Sequence, residues 1–361
     1  MTASCYFSAS YQAARDKFHA AVAKAGGALS VESNPGKGPG GESLTTDAAW
    51  FGPPHAECAL LLVSGTHGVE GFCGSGCEIA WIELGGPKRL PAGVAALVIH
   101  AINPHGFAWI RRVTEDNVDL NRNFVDFAGP LPENPGYDAV AAALDPERWD
   151  AAAQAQSGRL LQAYADRHGD FALQSAITRG QHKHPGGLFF GGTEPTWSRR
   201  TFLALGQRFL AHCRQVGFID LHTGLGPYGY GEPICMHQPG TPGFARVRDW
   251  YGDQATSPEE GNSTSAVVVG TLSEGLERAL PQAAVTGMAL EYGTQPVPDV
   301  LLALRADNWL HRHGDLGSAE GRAIKRQIRD AFYQDKDDWK DMVLTRALEM
   351  IDRALNGLAR A

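Results

Sequence analysis

The chain has 361 residues, 43% of them hydrophobic and 20% charged, enough to bury a large core and to exclude disorder as its main state. A net charge of −8 excludes a broad electrostatic footprint for nucleic acid or anionic lipid, so any anionic ligand must be held by individual arginines. No stretch approaches the roughly 18 apolar residues of a membrane span, and "MTASCYFSASYQAARDKFHAAV" lacks a basic-then-apolar leader pattern; the expectation is a soluble, cytoplasmic protein without membrane contact.

In chain order, the Gly/Pro cluster "SNPGKGPGGES" at 33–43 reads as a loop or connector. The apolar run "CALLLVSGTHG" follows, then the helical pattern "GCEIAWIELGG" and a second run, "AALVIHAINPHG". Residues 129–196 read as an elaboration: an alanine-rich helix, then the Gly- and aromatic-rich "TRGQHKHPGGLFFGGTEPTW", long enough for a functional loop. The helix "SRRTFLALGQRFLAHCRQ" leads into the run "VGFIDLHTGLG"; a fourth run, "GMALEYGTQP", precedes a strongly helical end, "DDWKDMVLTRALEMIDRALNGLARA". Short, nearly unbroken apolar runs suit strands buried on both faces, and their alternation with helices predicts an α/β fold with a largely parallel sheet. Ligands of such sheets lie beyond the carboxyl ends of the strands, where the polar residues that close these runs converge.

Six cysteines, at 5, 58, 73, 77, 213 and 235, are too sparse and irregular for a disulfide framework and read as reduced thiols. Cys73 and Cys77 would share a helix face, but no second pair accompanies them to hold zinc. "CGSGC" has cysteine where a nucleophile elbow needs glycine, and the glycines of 68–76 do not fall in dinucleotide-binding order.

His67 and Glu70, in H-x-x-E spacing just past a strand, can bind one zinc through a ring nitrogen and a carboxylate; alone, the motif is weak. The second strand ends in "INPHGFAWIRRVTEDNVDLNRNF", whose arginines and asparagines near a buried strand end call for an anion such as a substrate carboxylate. In "FIDLHTG", Asp220 and His222 share a face by the period of two, and His222 completes a His/Glu/His set with a fourth position left for water. Asp220 suits a partner orienting His222 better than a ligand of a second metal. Glu291, in "ALEYGT", falls at the same sheet edge as a candidate general base. His182 and His184 form an H-x-H without other ligands and read as pocket or surface residues.

"GTHGVEG", "NPHGF", "DLNRNF", "DLHTG" and "LEYGTQP", in this order over residues 60–296, resemble the zinc carboxypeptidase family in its broad sense. They are also similar to the aspartoacylase and succinylglutamate desuccinylase group, and the wording "RRVTEDNVDLNRNF" and "GLFFGG" to a bacterial branch of metallopeptidase-like proteins. The resemblance implies one catalytic domain over 1–361 with a mixed, largely parallel central sheet flanked by helices. Residues 129–196 would be an insertion before the third ligand, and 299–361 C-terminal helices. It also implies one Zn2+ on His67, Glu70 and His222, with Glu291 as general base and later proton donor. Asn121 and Arg122 would hold the substrate's free carboxylate, a task suited to guanidinium. Asp119 would bond the free ring nitrogen of a zinc histidine. Arg112 is the implied oxyanion group, with Arg111 in reserve; the family's mobile tyrosine has no clear match among Tyr228, Tyr230 and Tyr292.

The expected activity is carboxypeptidase-like hydrolysis of an amide bond next to a free α-carboxylate, with deacylation of an N-acyl amino acid as the alternative; the family resemblance favours the first. A peptidase needs an open groove and a small-molecule deacylase a lid, for which the insertion is the candidate. A zinc-containing binding protein without turnover is the third reading. Oligomeric state and side-chain preference are not encoded in these motifs.

Overall fold

In the computed structural model, which describes residues 2–360, the four apolar runs lie side by side as parallel strands. The strands are β1 (Ala28–Lys37), β2 (Ser43–Phe51), β3 (Cys58–Val63), β4 (Val94–His100), β5 (Gln215–Tyr228), β6 (Gly231–Cys235) and β7 (Ala284–Gly293). They form one seven-stranded sheet in the order β1-β2-β4-β3-β5-β7-β6. β4, β3, β5 and β7 are mutually parallel, whereas β1, β2 and β6 add antiparallel pairings at the two edges.

The helices are α1 (Tyr11–Ala25), α2 (Gly71–Glu83), α3 (Pro104–Ala108), α4 (Pro135–Leu144), α5 (Ala151–His168), α6 (Asp170–Thr178) and α7 (Trp197–Leu210). After these come α8 (Pro242–Tyr251), α9 (Leu272–Ala279), α10 (Val297–His313), α11 (Ala319–Phe332) and α12 (Asp337–Leu358). β3 reads Cys-Ala-Leu-Leu-Leu-Val because helices cover both of its faces. Leu60 and Leu62 pack in one core with the buried stripe of α12, including Trp339, Val343, Ala347 and Met350. Ala59, Leu61 and Val63 pack in the other with Phe202 and Leu205 of α7 and Leu276 of α9. Leu60, Leu61 and Leu62 are each 0% exposed, a burial that stabilises by about 1.5–3 kcal/mol per side chain.

Residues 33–43 are not wholly a connector: Ser33–Lys37 finish β1, and only 38–42 turn, closed by Gly38 N donating to Glu42 O at 3.0 Å. β1 is an edge strand, so Pro35 removes no central ladder bond, and the register shift between Ser33 and Lys37 absorbs it. Residues 129–196 contain α4, α5 and α6 and a loop that returns over the sheet edge, and α10, α11 and α12 fill 297–358. Among the described residues no helix is long and apolar enough to cross a membrane.

Candidate metal centre

Beyond β3 the chain makes a single 3-10 turn, Gly68–Glu70, and enters α2. The turn folds Glu70 back on His67, placing its Oε1 2.9 Å from His67 Nδ1. Gly68 is required there, because a Cβ would collide with the Gly106 backbone. On β5, Ile219 and Leu221 point into the α12 core, so Asp220 and His222 point to the opposite face. His222 Nδ1 lies 2.9 Å from Glu70 Oε2, which also accepts from Thr223 N at 3.2 Å.

Both imidazoles therefore turn Nδ1 inward, and both outward nitrogens meet a buried carboxylate. His67 Nε2 is 3.1 Å from Asp119 Oδ1 and His222 Nε2 is 2.8 Å from Asp220 Oδ2. Thr66 Oγ1 donates to Asp220 Oδ1 at 2.7 Å, and Arg112 Nε to Asp119 Oδ2 at 2.9 Å. The inward atoms of His67, Glu70 and His222 lie within 4.8 Å of one another, the one such grouping among the described residues.

Glu70, Asp119 and Asp220 are almost fully buried, and Arg112 is the arginine that pairs closely with Glu70 and Asp119; Arg122 stands 3.9 Å from Asp119. Burial alone would raise Glu70, but the two imidazoles overcome it and hold the carboxyl below its usual range. Burial likewise opposes charge on His222, yet Asp220 and Glu70 raise it well above the ordinary value. Two facing ring nitrogens and a carboxylate fit a divalent cation, with Asp119 and Asp220 fixing the ring orientations.

Glu291 on β7 is paired in register with His222 on β5 and faces the same side. Its Oε1 accepts from Leu225 N at 2.9 Å, and burial, then repulsion from Glu70, push its pKa up to about 8. Arg112 Nη1 donates to Glu70 at 3.3 Å and Nη2 stands 2.8 Å from His67 Nε2, so this guanidinium borders the donor set. Arg111 turns the other way, onto Asp307 at 3.1 Å and Asn117 at 3.0 Å.

Arg122 is buried with Nε donating to Thr178 O at 3.0 Å and Nη1 to Asn121 O at 2.9 Å. Asn121 Oδ1 accepts from Leu272 N at 2.9 Å. Phe189, in the 179–196 loop, was not anticipated: its ring lies 5.1 Å from the Arg112 guanidinium and 5.8 Å from that of Arg122. Its φ of 53° is a left-handed conformation that only tertiary contacts can impose on so bulky a residue. "GLFFGG" marked the loop, but nothing in it signals that backbone.

The remaining candidates stand apart from the centre. His182 Nδ1 is bonded to Gly192 O and His184 Nε2 to Asp138. Tyr292 is buried in the α12 core, Tyr228 donates to Asp338 and Tyr230 lies under Arg346. Cys73 and Cys77 are buried free thiols of α2.

A family model described as protein of unknown function (DUF2817) matches residues 7–346. The chain belongs to the DUF2817 family. No curated protein matches it. Solved structures similar to this DUF2817 chain include carboxypeptidase A from Helicoverpa armigera, at 13% identity over 98% of this chain and 74% of that one, with a TM-score of 0.49. A candidate metallopeptidase from Shewanella amazonensis is 16% identical over 84% of this chain and 94% of its own, with a TM-score of 0.35. An aspartoacylase family protein from Mesorhizobium loti is 14% identical over 81% and 68%, with a TM-score of 0.39.

Proposed function

We propose that this DUF2817 protein is a zinc-dependent hydrolase that cleaves an amide bond next to a free α-carboxylate. The observation that carries the reading is Glu291 in register beside the inward-facing His67, Glu70 and His222. These three residues would hold the ion, which when bound supplies Lewis acidity and a water of lowered pKa. Glu291 takes the proton of the attacking water and returns it to the leaving amine, a role that general bases fill at about 10²–10⁴ in rate. Arg112, fixed by Asp119, directs donors toward the oxygen that becomes negative. Asn121 and Arg122 orient the substrate carboxylate, Arg122 through the N–H groups that it does not donate to the Thr178 and Asn121 carbonyls.

The 179–196 loop favours one version of this activity. Phe189 covers the two arginines, which suits a small N-acyl amino acid better than a long peptide. The test is hydrolysis by zinc-loaded protein of matched panels: free and C-terminally blocked peptides, and N-acyl amino acids. Cleavage confined to free carboxylates is expected, and a Glu291→Gln chain should lose about 10²–10⁴ of it while keeping its metal. A binding protein without turnover would bind such compounds and cleave none.

A further inference from the structure

One strand beyond Glu291 stands a carboxylate that the metal centre does not use. Glu232 on β6 is paired in register with Glu291 on β7, as Glu291 is with His222 on β5, so the three side chains form a row on one face of the sheet. Glu232 is 3% exposed. Two carboxylates directly opposite on neighbouring strands repel each other, so a buried one in that place calls for donors of its own.

The segment after α8 supplies them. Glu232 Oε1 accepts from Thr256 Oγ1 at 2.5 Å, Ser263 Oγ at 2.8 Å and Thr264 N at 3.2 Å, and Oε2 accepts from Thr264 Oγ1. All four donors are neutral, so the carboxylate gathers hydrogen bonds from one stretch of chain and is not half of an ion pair. The same stretch is tied down at three further points. Thr256 N donates to Pro233 O at 3.0 Å, Gln174 Nε2 of α6 to Thr264 O at 3.0 Å, and Leu272 N to Asn121 Oδ1 at 2.9 Å.

Thr264 in turn reaches the backbone that fixes the base. The β5–β7 ladder shifts register between Thr223 and Tyr228, an irregularity of the kind that re-aims groups beside a site. Within it Leu225 N holds Glu291 Oε1 at 2.9 Å, and the Thr264 Cγ2 methyl lies over the next residue, Gly226 (φ 97°), 3.8 Å from where a Cβ would stand. We propose that Glu232 is a positioning residue for Glu291: by gripping Thr264 it clamps the Leu225–Gly226 backbone, and so keeps the general base in its place beside the metal ligands. The catalytic consequence rests on the hydrolase reading; the clamp does not.

Amide hydrogen exchange of the metal-free full chain tests the clamp, and steady-state kinetics of the zinc-loaded chain test its consequence. In Glu232→Ala, exchange is expected to quicken about tenfold or more in peptides covering 256–266 and 223–228, with β3 unchanged. Thr264→Ala, a milder cut at the other end of the contact, should quicken exchange at 223–228 about threefold or more. On a substrate that wild type cleaves, kcat of Glu232→Ala should fall about tenfold or more while KM and bound zinc stay within about threefold, a split that general loss of stability does not produce. Glu232→Gln can still accept from Thr256 and Ser263 and can donate to Thr264 Oγ1, so exchange and kcat should stay within about threefold of wild type. Unchanged exchange at 223–228 in both alanine variants, an unchanged kcat, or a loss in Glu232→Gln as large as in Glu232→Ala would each overturn the proposal. A wild type that cleaves nothing would overturn the hydrolase reading instead, and exchange at 223–228 would still decide the clamp.

Discussion

Arg111 and Arg112 are neighbours in the chain, yet they end in clusters of different composition. Asp307, a single buried carboxylate, is shared by Arg111 at 3.1 Å and by Lys325, and these cations hold it below the usual carboxylate range against the effect of burial. On the Arg112 side, Glu70, Asp119 and Asp220 share one close guanidinium and two imidazoles whose inner nitrogens face each other. The first cluster is closed: every charge has its partner, and its use is to fasten α10 and α11 to the arginine segment. The second sets two inward ring nitrogens beside a carboxylate, a donor set that a structural ion pair of similar burial lacks.

The largest expected effect breaks this comparison at its centre. His222→Ala should reduce bound zinc to a small fraction by elemental analysis, whereas Asp307→Ala should keep it; full retention in the histidine variant would place the metal elsewhere. Asp307→Ala in turn strands buried Arg111 and half-buried Lys325 and should cost about 3–5 kcal/mol, read from the denaturant midpoint. A change within 0.5 kcal/mol, the range of neutral surface substitutions, would show that the Asp307 cluster is not a fastening at all.

Asp220→Asn keeps the shape but weakens the hold on His222, and zinc affinity should fall about 10–100-fold in a chelator competition. An unchanged affinity would remove Asp220 from the orienting role. The smallest effect concerns pH. Glu291 is raised from 4.5 to about 8 in the metal-free fold, so the fold binds a proton there that the unfolded chain releases. Its contribution is full below pH 4.5 and is lost as pH rises toward 8. Compared with Glu291→Gln, metal-free wild type should therefore lose stability across that window, and a constant difference between the two would sink the assignment. Asp307 has the opposite sign: its pKa is depressed, so its contribution is present above the unfolded value and is lost as pH falls through the folded one.

The strands that were legible are those buried on both faces. β3, β4, β5 and β7 announce themselves by unbroken apolar runs, whereas β1, with Asn34, Pro35 and Gly36 near its end, sits at an edge where such residues are tolerated and so looked like a loop. Within the site, His67 and Glu70 were legible from a local turn, and Asp220 and His222 from strand alternation. The divergence of Arg111 and Arg112 was not, because it depends on Asp307, 196 residues further along. Nor was the engagement of Arg122 with Thr178, or Phe189 over both guanidiniums, since each is a contact between segments far apart in sequence.

By itself the sequence determined the chemistry available: which strands are buried, which residue types close them, and that their polar ends share one edge of a parallel sheet. Those properties follow from local periodicity and from burial on two faces. Only the tertiary structure decided which nitrogen of each imidazole faces inward, which arginine borders the donor set and which is spent on a closed ion pair. Those choices are set by where distant carboxylates and carbonyls lie in space, and no local pattern carries that information.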